Sequence, residues 1–423
     1  MKIVLVNYRY FVSGGPERYM FNITDLLTKN GHEVIPFSVK HNKNTPTPYE
    51  EYFLDPIGTG NEIYGHEYKK DFRTVAKVTS RMIYSFEAKR KMTRLLKEVK
   101  PDLVYVLQFQ NKISCSVIDA AYDLKIPVIQ RISDFAHICV DNIFYDYQKQ
   151  KICEKCLHGS KWNAVANKCS SNSYPNSILK ALALKVQDFR KTRDKITSFI
   201  IPANFTVSKF VDFGVPAEKI THIPTFFNMK KDAAQNVTYE DYFLYVGRVD
   251  PDKGLLTLVK AFENTPYKLT IVGSSTDGYD DFLKDYLKDK KHNITFTGKL
   301  DFPAISKYLQ NCLCTLCPSE WYDNLPNAVL ESYAFKKAVI ASDLGSLKDL
   351  IVSNETGIHF TPGDVEALRK SIQYMINNRD QAIRMGETAY NTLVSDYSSQ
   401  LHYNRLIEAF EQVVYGKSLT ANV

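Results

Sequence analysis

Eleven short apolar runs, rich in β-branched and aromatic residues, alternate with amphipathic helical segments along most of this 423-residue chain. That alternation predicts parallel strands joined by crossover helices, an α/β fold. Five runs lie in the first half, at 2–7, 33–38, 103–107, 128–132 and 199–202. Six lie in the second, at 242–246, 268–272, 294–297, 312–317, 338–341 and 357–360. The length exceeds what one hydrophobic core usually organises, so two domains are expected. The polar stretch 229–240, after Pro224, is the expected hinge, which divides the chain into 1–224 and 225–397.

No apolar run approaches the ~20 residues that span a bilayer. The amino terminus enters a strand at once, without a signal-peptide cleavage site. A cytosolic protein is expected, with its eight cysteines reduced. No internal repeat or low-complexity tract interrupts the pattern.

Two segments about seventy residues apart carry chemistry. The first, Tyr245-Val-Gly-Arg-Val-Asp-Pro-Asp-Lys-Gly254, ends a strand at Gly247 and opens an apolar-periodic helix at Gly254. Arg248 and Lys253 fall in the loop between, at the carboxyl edge of a sheet, where doubly wound folds bind ligands. Arg offers phosphate a planar fork, and Lys offers a point charge. Two solvated loop cations are the competing reading. The second segment, Ser319-Glu-Trp-Tyr-Asp-Asn-Leu-Pro-Asn-Ala-Val-Leu-Glu331, follows the strand 312–317. Pro326 suits the first turn of a helix that runs to about Phe335, and the amino end of that helix attracts anions. Asp323 precedes this helix, and Glu331 sits inside it, where a carboxylate can accept from two ribose hydroxyls. A capping Asp and a surface Glu are the competing reading. At the amino end, Gly14 and Gly15 follow the first strand and Pro16 pre-sets a helix start, so the backbone can approach a ligand closely.

With these residues the chain resembles retaining glycosyltransferase family 4, which has the GT-B architecture of two Rossmann-like, doubly wound domains facing a cleft. The resemblance implies that Arg248 and Lys253 neutralise the diphosphate of a nucleoside diphosphate-sugar, UDP- or GDP-linked. It implies that Glu331 holds the ribose, and that Asp323 with Asn324-Leu325-Pro326-Asn327 reads the sugar. Gly14, Gly15 and Gly247 would lie near the donor, with the base against Lys299 and Leu300. The last helix, 398–416, would cross back onto the first domain. Retention of configuration, a glycan or lipid-linked acceptor near 41–67, and a role in cell-envelope polysaccharide or glycolipid synthesis are further implications. No catalytic metal is expected, because Arg and Lys stand at the phosphates.

The pattern departs from the family at two places. Asp323 stands where Glu is usual. In the run Arg131-Ile-Ser-Asp-Phe-Ala-His-Ile-Cys139, Asp134 matches the family Asp, but Ser133 replaces a His that contacts the donor sugar. Three readings stay open: Ser133 suffices, His137 swings into the site, or the chain is a weak or inactive homologue that binds nucleotide sugar or a partner.

Two regions lie outside that pattern. Cys139, Cys153, Cys156 and Cys169 contain a C-x2-C pair with two flanking thiols in a polar, weakly periodic region. A structural zinc and unligated thiols are the two expectations. Between Tyr68 and Lys100, eleven Lys or Arg face three acids, a net +8 that accounts for the whole chain's +7. Interleaved apolar residues make 68–100 a candidate for anionic lipid at the inner membrane face, or else a helix with a solvated basic face. No binding motif accompanies the charge, so nucleic acid is not expected.

Overall fold

In the computed structural model, residues 1–63, 67–69, 71–228, 234–275 and 277–416 are described. The expected hinge 229–240, the acceptor segment 41–67 and the basic stretch 68–100 each fall partly outside them, at 229–233, 64–66 and Lys70.

Two six-stranded parallel sheets form the framework. The first contains β1 (Lys2–Val6), β2 (Glu33–Phe37), β3 (Leu103–Val106), β4 (Val128–Arg131), β5 (Ser198–Ile201) and β6 (Ile220–His222), in the order β2-β1-β3-β4-β5-β6. The second contains β7 (Tyr242–Val246), β8 (Lys268–Val272), β9 (Asn293–Gly298), β10 (Cys314–Cys317), β11 (Ala338–Ser342) and β12 (Gly357–Phe360). Its order is β9-β8-β7-β10-β11-β12, the doubly wound pattern of a dinucleotide-binding sheet. The strands β1, β3, β4, β10 and β11 are buried along almost their whole length, as parallel strands covered on both faces must be. The framework is therefore two Rossmann-like halves.

Each sheet reverses its order once. In the first, that point lies between β1 and β3; in the second, between β7 and β10. Helices leave to opposite faces there, so a crevice opens beyond the strand ends. The loop after β1 carries Gly14 and Gly15. The loops after β7 and β10 carry 247–254 and 318–326. All three candidate segments thus fall at a switch point.

Strand β6 was not among the sequence-based expectations. Ile220-Thr-His has no clear apolar alternation, yet it pairs in parallel with β5 and completes the first sheet. A short hairpin, Tyr145–Asp146 with Lys151–Ile152, was likewise unforeseen. Element boundaries also moved. The strand expected from Cys312 begins at Cys314, and Pro326 is the N-cap of the Asn327–Ala334 helix rather than part of its first turn.

The Ser399–Tyr415 helix packs on the first sheet, not the second. Leu406, Ala409 and Phe410 share a core with Ile3, Leu5, Met20 and Tyr105. His402 fixes its start: Nε2 lies 3.0 Å from the Tyr19 hydroxyl, and Nδ1 lies 2.7 Å from the Pro224 carbonyl. Burial pushes that imidazole down to about 3, so it is neutral and can serve both partners.

Candidate functional site

A cavity of about 760 Å³ opens between the two sheets. Gly15, Arg18, Arg131, Ser133 and Asp134 line it from one side, and Trp321, Asp323, Asn324, Asn327 and Glu331 from the other. The walls touch at several points. The Asn324 amide donates from Nδ2 to the Ile132 carbonyl (3.2 Å), and its Oδ1 accepts from the Thr206 hydroxyl (2.7 Å). A Cβ added to Gly15 would lie 3.0 Å from Asn327 Nδ2, so a side chain there would crowd the opposite wall.

The second-domain wall depends on a glycine. Gly254 has φ +69°, and an added Cβ would meet the Pro318 carbonyl oxygen at 1.9 Å. Only glycine lets the 247–254 loop close against the 318–326 loop. That closure sets Lys253 Nζ 2.5 Å from Asp323 Oδ1 and 4.8 Å from the Trp321 ring centre. Ser319 donates to the other Asp323 oxygen at 2.5 Å. Arg248 is paired with Asp250 and, at 3.2 Å, with the fully buried Asp252. Burial opposes its charge, but Asp252 and Asp250 prevail and hold its pKa above the usual value. Both cations therefore have acids as partners, and neither lines the cavity: Lys253 stands behind Asp323 and Trp321, and Arg248 lies on the 247–254 loop.

Glu331 is on the buried face of the Asn327–Ala334 helix, and burial pushes its carboxyl up to about 7. Arg18 opposes this from across the cleft, 3.7 Å away. Asp134 is raised to about 6 by burial, against the Ala136 N–H that donates to Oδ1 at 2.9 Å.

Several expected residues lie elsewhere. His137 does not reach the cavity. It is 2% exposed, bonded to Gln130 Oε1 at 3.0 Å and ringed by Phe109, Phe199 and Phe210. Burial lowers its pKa to about 3, so it is a neutral core residue. Gly14, Gly247, Pro326, Lys299 and Leu300 are also absent from the lining. Leu300 packs with Phe302 and Ile305 on the apolar core instead.

Zinc and unligated thiols were the two expectations for the four cysteines. Burial raises the Cys169 thiol, and Cys139, Cys156 and Cys153 lie near enough to add to that shift. Yet among the described residues no three His, Cys, Asp or Glu side chains converge to hold a metal ion. Cys139 packs in the first-domain core, while Cys156 and Cys169 pack with Val140, Ala181 and Leu184. A buried ammonium pins the region instead: Lys161 Nζ donates to the Ile138 and Cys156 carbonyls, both at 2.7 Å.

Arg18, Arg131, Thr206 and Trp321 were missed from sequence. Arg18 is one turn into the helix after the glycine pair, a position that could have flagged it. Thr206 reaches the cleft only through a contact 118 residues away, which no local pattern announces.

Residues 228–392 match the family model described as glycosyl transferases group 1. A glycogen synthase of Mycobacterium tuberculosis is 27% identical over 166 residues, which cover 37% of this chain and 39% of that one. The lipopolysaccharide 1,2-N-acetylglucosaminetransferase of Salmonella typhimurium is 23% identical over 242 residues, 52% and 62% of the two chains. The chain thus spans about two-fifths to three-fifths of these relatives' lengths. Among solved structures, sucrose-phosphate synthase of Thermosynechococcus elongatus superposes with TM-score 0.70, 16% identity and coverage of 98% and 100%. Anabaena HepE in complex with UDP-glucose gives 0.62, 14%, 97% and 100%.

The raised Glu331 pKa has a stability consequence. Below its ordinary value of 4.5 the group is protonated in both folded and unfolded states; above it, the folded state alone retains the proton until about pH 7. Its stabilising contribution is thus complete below pH 4.5 and is lost as pH rises to 7. Glu331→Gln should remove that loss, on the order of 1–3 kcal/mol. Urea unfolding of both proteins at pH 5 and pH 8 would read it; parallel pH dependence would contradict the assignment. The 228–392 portion carries the glycosyl transferases group 1 pattern, and the whole chain has the two-domain fold of GT-B glycosyltransferases.

Proposed function

We propose that this protein transfers a sugar from a nucleoside diphosphate-sugar to a glycan or lipid-linked acceptor, with retention of anomeric configuration. The observation that carries this reading is the convergence of both switch points on one cleft, with Lys253, Glu331 and a helix N-terminus on the same wall. Acceptor-side residues 1–224 with the last helix, and donor-side residues 225–397, are the two functional halves. The names of the lipopolysaccharide and capsular polysaccharide relatives support cell-envelope glycan or glycolipid synthesis.

In this reading Glu331 accepts hydrogen bonds from the ribose, exchanging Arg18 for two hydroxyls. The diphosphate lies at the amino end of the Asn327–Ala334 helix, whose free N–H groups favour anions. Lys253 and Arg248 turn from their carboxylates to the phosphates. Uracil is the base favoured by the UDP complexes of similar folds, with guanine the alternative. Asp323, released from Lys253, faces the sugar together with Asn324 and Ser133. The acceptor hydroxyl forms its bond to the anomeric carbon on the face from which the diphosphate departs. Its proton passes to the departing phosphate oxygen, so nucleoside diphosphate and glycoside leave together. The protein's part is positioning and charge stabilisation.

Ser133, and the engagement of both Asp323 oxygens, also favour a second reading: a homologue that binds nucleotide sugar without transfer. Arg248→Ala and Lys253→Ala separate the two. Each should lower kcat/KM by roughly 100- to 1,000-fold while the far-ultraviolet spectrum is unchanged. Unchanged turnover would remove the phosphate role; nucleotide binding with no turnover in the parent protein would favour the second reading.

An anionic membrane surface is the proposed docking partner of the 68–100 region. Part of the basic count there serves the fold: Arg81 is buried on Glu87, and Lys77, Lys89, Lys91 and Arg94 each have a protein partner. Among the described residues, Lys69, Arg73, Arg90, Lys97 and Lys100 remain outward, beside Phe72 (88% exposed) and Phe86 (78%). The Tyr174–Phe189 helix packs against Phe72–Ile83 and adds the outward Ile178, Leu182 and Phe189. Among the described residues no helix is long and apolar enough to cross a membrane. Cosedimentation should show binding to phosphatidylglycerol vesicles that Phe72→Ser with Phe86→Ser abolishes. Equal binding to neutral phosphatidylcholine, or none to either, would contradict it.

A further inference from the structure

Arg131, the last residue of β4, puts a buried cation into the cleft wall. It is 6% exposed and lines the interdomain cavity. Its Nη1 donates to the Ser133 hydroxyl at 2.8 Å and its Nη2 to the Thr225 hydroxyl at 2.5 Å. Its Nε is buried with no hydrogen-bond partner. The guanidinium carbon stands 3.9 Å from the centre of the Tyr19 ring. Near it lie neutral groups, the Tyr19 and Tyr105 hydroxyls, 3.0 Å apart, and the neutral His402.

A desolvated charge is retained where something compensates it. The carboxylates that line this cavity do not. Asp323 serves Lys253, Glu331 faces Arg18, and Asp134 accepts the Ala136 N–H. Among the described residues, no carboxylate lies within ion-pair distance of Arg131. Hydroxyls and a ring face compensate it only in part. The guanidinium fork is suited to one class of counterpart, a planar or tetrahedral oxyanion.

We propose that Arg131 is a specificity-determining residue that takes an oxyanion, carboxylate or phosphate, carried by the non-nucleotide part of the substrate. The inference rests on the nucleotide-sugar reading of the same cleft. With Ser133 bonded to it, Arg131 places positive charge beside the space left between Ser133, Asn324 and Glu331. Two sources supply that anion. A donor sugar can carry a carboxylate, as a uronic acid does, or the acceptor can carry a phosphate, as a lipid diphosphate does.

Calorimetry on the full chain tests it in two arms. The donor arm compares UDP-glucuronate with UDP-glucose, or GDP-mannuronate with GDP-mannose, on whichever of UDP and GDP binds alone. The acceptor arm, with that nucleoside diphosphate present, compares geranyl-diphosphate-linked N-acetylglucosamine with octyl N-acetylglucosaminide. The expected result is a preference of roughly 10- to 100-fold for the acidic member in one arm, the size of a charge-assisted hydrogen bond. Arg131→Gln should collapse that ratio to about one, and Arg131→Lys should keep part of it. No preference in either arm overturns the inference and leaves the donor site standing. So does a variant that weakens acidic and neutral ligands alike, which marks Arg131 as a structural pin. If neither UDP nor GDP binds, the donor reading fails first and this inference falls with it.

Discussion

Asn324 holds the cleft in register. One amide group reaches from the second domain to two elements of the first, the end of β4 and the helix that carries Thr206. Nearby, Phe205 N–H donates to Asp349 at 3.0 Å, and Tyr147 reaches the buried Asp252 at 3.4 Å. These polar contacts are directional, and beside them the cavity-lining Tyr322 packs its ring on Phe205 and Phe144 across the cleft. They fix which faces of the two sheets meet, and so bring Gly15 within reach of Asn327, and Arg18 within reach of Glu331. An interface of this kind fixes orientation yet gives way more readily than a continuous core.

The charges in the cleft follow from the same arrangement. Lys253 and Arg248 cannot stand bare in a partly desolvated wall, so each is neutralised by a local carboxylate. A diphosphate that displaces those carboxylates exchanges one ion pair for another, with little net desolvation. Glu331 has no such local partner, and its raised pKa records the cost. Arg131 has no acid within ion-pair distance among the described residues. The cleft thus has two cations near it that local acids satisfy in advance, one carboxyl on the second-domain wall whose charge is set by what binds, and, on the first-domain wall, one cation left for a ligand to complete.

Much of this was legible along the chain. The apolar runs that became the strands were distinct because parallel strands are buried on both faces and read as continuous hydrophobic segments. The 248–254 and 319–331 segments were legible because strand–loop–helix transitions put charged residues at fixed offsets from a glycine or a proline. Strand β6 was not, since Ile220-Thr-His has little apolar content and is a strand only by pairing with β5. His137 misled for the opposite reason. Its place shortly after Ser133, where the family has a His, suggested the site, but the chain turns it into an aromatic pocket. The four cysteines have the spacing of a metal site, while Cys139 packs in one apolar cluster and Cys156 and Cys169 in another. Arg131 and Thr206 gained their importance only through contacts many residues away, which local sequence does not encode.

The claim on which everything else rests is that the cleft binds a nucleoside diphosphate. The most direct measurement is the melting temperature of the full chain with UDP, GDP, ADP, dTDP and CMP, since a ligand that binds only the folded state raises it by mass action. The geometry predicts a clear rise with one diphosphate, UDP or GDP, that is lost in Arg248→Ala. No rise with any of the five would contradict a donor site in this cleft.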